Sequence, residues 1–150
     1  MSVAIDVRDL FRVHSTPEGD AAALQGLTLA IPDGEILTVL GPSGAGKTSF
    51  LRILAGLDVP SAGTVRVFGF DLRTLGGDAR SGYRTQVLGY LDQHYERALA
   101  PELTARELVG LRLRANGVER EGREARADDL LGRVGLAAKT GARPAQLSGG

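Results

Sequence analysis

Eight consecutive residues, Gly41, Pro42, Ser43, Gly44, Ala45, Gly46, Lys47 and Thr48, match the spacing G-x-x-x-x-G-K-[ST]. These residue types suit the capture of a phosphate chain. Glycines let the backbone wrap tightly and approach an anion with no side chain in the way. Amides of the loop and of the first turn of a following helix would point at the anion, and the helix dipole adds to the attraction. Lys47 would bring a compact ammonium to the outer phosphates, and the Thr48 hydroxyl could coordinate magnesium. Only Lys47 and Lys139 are lysine among eighteen basic residues. A point charge at 47 therefore stands out in a chain that otherwise uses the planar guanidinium.

Such a loop needs a strand before it and a helix after it. EILTVLG, residues 35–41, is short, apolar on both faces and rich in branched residues, as expected of a strand buried on both sides in a parallel sheet. After the loop, Phe50, Ile53 and Leu54 stand at i, i+3 and i+4, which predicts a helix that Gly56 stops. Upstream, Val3, Ile5 and Val7 alternate as in a strand, HSTPEGDAA reads as an exposed loop, and LQGLTLAI reads as a second strand closed by a PDG turn. Downstream, PSAGTVRVFG is a turn and a strand with Val65 and Val67 on one side, and VLGYLDQ is a further strand. Residues 76–85, rich in glycine and arginine, show no period.

From Thr104 the pattern becomes helical. Thr104 and Glu107 have capping-box spacing, and Leu108 with Leu111 and Val109 with Leu113 form a stripe. A second helix over roughly 119–134 carries Ala127, Leu130, Leu131 and Val134 on one face, with Gly135 as its stop. The chain is thus an α/β core, over 1–93, with an α-helical segment appended over 94–150.

Composition narrows the classes further. One hundred and fifty residues suit one domain with a real core. Eighteen acidic residues cancel eighteen basic ones, so no nucleic-acid partner is expected, and the lack of cysteine removes disulfides and thiolate metal sites. No apolar run approaches the roughly 20 residues of a membrane-spanning helix, and the N-terminus does not read as a secretory signal. The expectation is a cytoplasmic protein or a soluble part docked on something else.

Taken in order, these segments resemble the nucleotide-binding domain of ATP-binding cassette (ABC) transporters along the whole chain. LQGLTLAIPDGEILTVLGPSGAGKTSFLRILAGL is similar to the family's opening, with the phosphate loop as its Walker A motif, and PSAGTVRVFG is similar to the hairpin that follows. LGYLDQ resembles the Q-loop, with Asp92 where an aromatic often stands; LTARELV resembles the start of the helical lobe, and QLSGG, Gln146 to Gly150, resembles the signature motif. STPEGDAAAL is similar to the loop of lipoprotein-release and macrolide-efflux cassettes.

The resemblance implies a P-loop NTPase fold with an N-terminal antiparallel β-subdomain and a helical subdomain. It implies that Gly41 to Thr48, with Ser49, hold ATP and Mg²⁺, the metal on Thr48 and Gln93, with Gln93 also positioning the attacking water. His14 falls where the family places an adenine-stacking aromatic, with Phe11 as the second candidate. Ser148, Gly149 and Gly150 would face the γ-phosphate held by the opposite protomer. The partners implied are a second nucleotide-binding domain, identical or not, and transmembrane permease subunits, with the protein peripheral on the cytoplasmic face of the membrane.

The family's Walker B aspartate, catalytic glutamate and switch histidine come after LSGG, and His94 lies too early to be the switch. The chain therefore reads as an N-terminal fragment that hydrolyses ATP poorly or not at all alone, in which EILTVLG loses a neighbour and exposes an apolar edge. Two rival functions stand beside an ATP-binding transporter subunit. One is a non-hydrolysing ATP-binding or regulatory module. The other is a soluble ABC protein acting on ribosomes or DNA.

Overall fold

The computed structural model describes residues 2–17, 19–92 and 99–148. They form two compact units, residues 1–89 and 90–150.

The first unit is built on a long hairpin, β1 (Val3–Thr16) with β2 (Gly19–Pro32), joined through β1 to β3 (Ala62–Val67) and then to the short β4 (Phe70–Asp71). The sheet order is β2-β1-β3-β4, with every pairing antiparallel. The polar stretch 14–22, expected as a loop, is instead largely paired: His14 opposes Ala21, Ser15 opposes Asp20 and Thr16 opposes Gly19. The ladder overrides the polar composition here because both arms face water, where Ser15 Oγ donates to Asp20 Oδ1 at 2.9 Å.

Strict alternation in β1 fails where its register shifts, most clearly between Val7 and Leu10. Val7 and Leu10 are both fully buried although three residues apart, because the register shifts between them and Asp9 sits at φ 46°. This extra residue returns Leu10 to the inner face.

Helix α1 (Lys47–Leu54) buries Phe50, Ile53 and Leu54, the expected face, against Val7, Leu10, Leu24, Val65 and Val67. It stops at Gly56, whose φ is 64°. The Gly56 amide donates to Ile53 O and the Leu57 amide to Arg52 O, a Schellman closure of the last turn.

Residues 76–85, unassigned from sequence, begin α2 (Gly77–Gly82), which runs into one π-helical turn over Tyr83–Val87. Its glycines weaken any local signal; tertiary contacts hold it. Arg80 Nη2 donates to Leu72 O and Leu75 O, each at 3.0 Å, and the buried Tyr83 donates its hydroxyl to Leu54 O at the end of α1. Burial pushes the Tyr83 phenol up to about 12. Tyr83→Phe removes the donor to Leu54 O, so a loss of about 1–3 kcal/mol is expected in urea unfolding, the usual penalty for a buried acceptor losing its partner.

Two expected strands do not form. Residues 35–41 lie outside the sheet, with Ile36 97 % and Leu40 85 % exposed, rather than buried on both faces. Residues 88–92 are likewise not strand, and Leu91 is 98 % exposed. A strand exists only by pairing, and among the described residues no neighbour pairs with either segment. The apolar side chains of EILTVLG are exposed, but not as the edge of a sheet.

The second unit packs α3 (Ala105–Ala115) against α4 (Arg123–Arg133). Ala127 and Leu131 are buried as expected, whereas α4 starts later than 119 and Val134, beyond its last turn, is exposed. Arg106 Nε bonds Asp128 Oδ1 at 2.7 Å across the pair. The capping box on α3 is closed both ways: the Glu107 amide donates to Thr104 Oγ1 at 3.3 Å, and the Thr104 amide donates to Glu107 Oε2 at 2.8 Å.

The Thr104 amide and then its hydroxyl hold the Glu107 carboxyl below its ordinary value. A depressed carboxylate stabilises the fold above its unfolded pKa of about 4.3, and that contribution is lost as pH falls through the lower folded value. Protection of the amides at the start of α3, taken relative to their intrinsic exchange rates, is therefore expected to fall below about pH 4, and Glu107→Gln is expected to abolish this pH dependence. Unchanged acid behaviour in Glu107→Gln counts against it.

Candidate functional site

The phosphate-loop candidate lies in the first unit, between the unpaired segment 35–40 and α1. Residues 41–45 are exposed, and Gly46 is the N-cap of α1 in a left-handed conformation with φ 83°. Gly41 and Gly44 have φ 154° and 82°, so the backbone turns at all three glycines. The Ala45 amide donates to Pro42 O at 3.3 Å, which closes the middle of the loop.

No side chain caps α1 and no acidic residue lies in its first turn. The helix therefore presents its N-terminal amides at Lys47, Thr48 and Ser49 with the positive end of its dipole unopposed. Lys47 curls back over the loop, and its Nζ donates to Gly41 O at 2.8 Å and Pro42 O at 2.6 Å. The ammonium is thus held at the loop itself.

Gly46 meets a second constraint that its place in the motif does not suggest. A Cβ there would sit 2.2 Å from Ala23 O and 2.9 Å from Leu24 Cδ2. The loop is pinned against the backbone of β2 at this residue.

His14 is half-buried on β1, and its Nε2 lies 3.5 Å from Ser49 Oγ in the first turn of α1. Phe11, the other aromatic candidate, points elsewhere: its ring lies over Gly26 of β2, where a Cβ would be 3.5 Å from Phe11 Cζ. Imidazole and phosphate loop are therefore neighbours, and the benzyl ring is not shown near the loop.

Thr48 is exposed on the first turn beside Lys47. Magnesium in such sites keeps several waters and takes most other ligands from phosphates, with one or two protein oxygens. One hydroxyl beside the uncapped first turn of α1 fits that demand.

Ser148 is exposed and follows a 3₁₀ turn, Pro144–Gln146, in which the Arg143 amide donates to Gln146 Oε1 at 2.8 Å. Gln93, His94, Gly149 and Gly150 lie outside the described residues.

Sequence reasoning missed one part of this region. Arg12 and Asp58 form a two-pronged ion pair, Nε to Oδ2 at 3.1 Å and Nη2 to Oδ1 at 2.7 Å, with side chains only 23 % and 17 % exposed. Forty-six positions separate the two, and no local spacing signals the pair.

The ABC transporter family profile matches residues 24–150. The chain belongs to the ABC transporter family.

Among curated relatives, the lipoprotein-releasing system ATP-binding protein LolD of Cereibacter sphaeroides is 48 % identical over 132 residues, covering 88 % of this chain and 58 % of that protein. LolD of Geobacter metallireducens is 38 % identical over all 150 residues, covering 66 % of its length. The macrolide export ATP-binding/permease protein MacB of Shigella flexneri is 37 % identical over all 150 residues, which cover 23 % of it. The chain thus spans less than two thirds of each.

Among solved structures, the dimeric post-hydrolysis state of the ATP-binding cassette MJ0796 bound to ADP and Pi superposes with a TM-score of 0.85 at 30 % identity, covering 97 % of this chain and 63 % of the other. The fold is that of an ABC-type P-loop cassette, α/β with an antiparallel β-subdomain and a helical subdomain. Among the described residues, no helix is long and apolar enough to cross a membrane.

Proposed function

We propose that this protein is the ATP-binding subunit of an ABC transporter, which binds MgATP on the loop Gly41–Thr48 and, paired with a second such domain, hydrolyses it to drive membrane partners. One observation carries the reading: the Lys47 ammonium held at a glycine loop on the uncapped N-terminus of α1. Released to a triphosphate, the same ammonium would exchange two carbonyl acceptors for charged phosphate oxygens, and a charge-assisted contact is the stronger one. The amides of Lys47, Thr48 and Ser49 would bind the phosphates, and the Thr48 hydroxyl would hold the magnesium, which neutralises phosphate charge when bound.

His14, beside Ser49, would stack on the adenine. Gln93 would position water and metal, and Ser148, Gly149 and Gly150 would complete the γ-phosphate site of the opposite protomer. Residues 1–93 act as the nucleotide core and 94–150 as the helical lobe. The likeness to LolD and MacB supports a place on the cytoplasmic face of the membrane beside permease subunits, with export or lipoprotein release as the transport class.

The direct test is calorimetric titration of the full-length protein with ATP, with and without Mg²⁺. Saturable binding that magnesium strengthens is expected. Heats no larger than those for adenosine would exclude a phosphate site.

A further inference from the structure

The position of His14 relative to α1 is the less obvious part of this site. Pairing between β1 and β3 shifts register after Arg8 and makes its last contact at Phe11 with Ala62. Pairing between β1 and β2 shifts register on both sides of Arg12. His14 thus stands beyond β3 on a two-stranded ribbon whose ladder is irregular immediately before it. Backbone pairing alone fixes such a ribbon poorly.

Side chains make up the difference. Arg12 closes its fork on Asp58, whose Oδ1 also accepts from the Val59 amide at 2.9 Å and whose own amide donates to Arg52 O of α1 at 3.2 Å. The Ser61 amide donates to Phe11 O at 2.9 Å, and Ser61 Oγ accepts from the Val13 amide at 3.0 Å. The Arg12 fork and the two Ser61 bonds join residues 11–13 to the segment leaving α1, and the Asp58 amide ties that segment to the helix itself.

We infer that Arg12 and Asp58 are positioning residues for the nucleoside: their ion pair sets the distance between the base-stacking strand around His14 and the phosphate loop at the other end of α1. The inference rests on the nucleotide reading above. A half-buried guanidinium–carboxylate fork has one good geometry, so it fixes orientation as well as separation. When the fork is lost, the strand around His14 loses its side-chain tie to the segment leaving α1, while the loop keeps its own closures, Lys47 Nζ on Gly41 O and Pro42 O and the Ala45 amide on Pro42 O. Base recognition then weakens and triphosphate recognition does not.

The experiment measures dissociation constants of the full-length protein for MgATP and for magnesium tripolyphosphate, which has the phosphates and no base. Arg12→Ala and Asp58→Asn are expected to lose about five- to 150-fold in ATP affinity, the range that stacking of one base covers. Tripolyphosphate affinity is expected to stay within about twofold, since its contacts are to the loop Gly41–Thr48 and the helix N-terminus and none is to the base. The exchanged pair, Arg12→Asp with Asp58→Arg, is expected to recover part of the ATP preference. Arg12→Lys keeps the charge without the fork and should fall between wild type and Arg12→Ala; it serves if Arg12→Ala does not fold. An unchanged ratio of the two affinities in the single variants overturns the inference while leaving ATP binding intact. Equal loss of both ligands also overturns it, because the pair would then only support the fold. A wild-type protein that binds neither ligand overturns the nucleotide reading itself.

Discussion

Lys47→Ala should bind MgATP roughly 10- to 100-fold more weakly than the wild type, from the 1.5–3 kcal/mol typical of a charged hydrogen bond. The side chain has no structural task that would blur the result. Its two hydrogen bonds go to exposed loop carbonyls at Gly41 and Pro42, which water can satisfy in its absence. Melting should therefore shift little while affinity falls. Lys47→Arg should not restore binding, because a planar fork cannot occupy the place of a compact ammonium at the centre of a tight loop. Equal ATP affinity in wild type and Lys47→Ala would remove the phosphate assignment.

Gly46→Ala carries a large expected structural effect. The residue stands at φ 83°, and a methyl there would meet the Ala23 carbonyl at 2.2 Å. Left-handed backbone costs a side chain about 1–2 kcal/mol and overpacking a further 1–3, so a loss of about 2–5 kcal/mol is expected in urea unfolding. Gly44→Ala supplies the comparison. Its φ is 82°, with nothing within 4 Å of the added carbon, so it bears the backbone cost without the clash. The difference between the two variants measures how firmly β2 holds the loop. Equal destabilisation would mean that β2 yields at no cost.

The family was legible from short spacings. The loop at 41–48 and the face Phe50, Ile53, Leu54 each depend on residues within a turn or two of one another, and the structure reproduces that helix and its stop at Gly56. The capping box of Thr104 and Glu107 was readable for the same reason. Branched residues at 35–40 did not make a strand, because apolar character permits pairing without supplying a partner.

Sequence by itself determined the glycine loop, the helix it opens and the family, since each is written in residue type at fixed local offsets. Tertiary structure alone decided that polar residues 14–16 and 19–22 pair as a hairpin, that Tyr83 caps the carbonyl of Leu54, and that Arg12 clasps Asp58. These depend on chain segments brought together from a distance, where the energy comes from desolvated contacts between residues that share no local pattern.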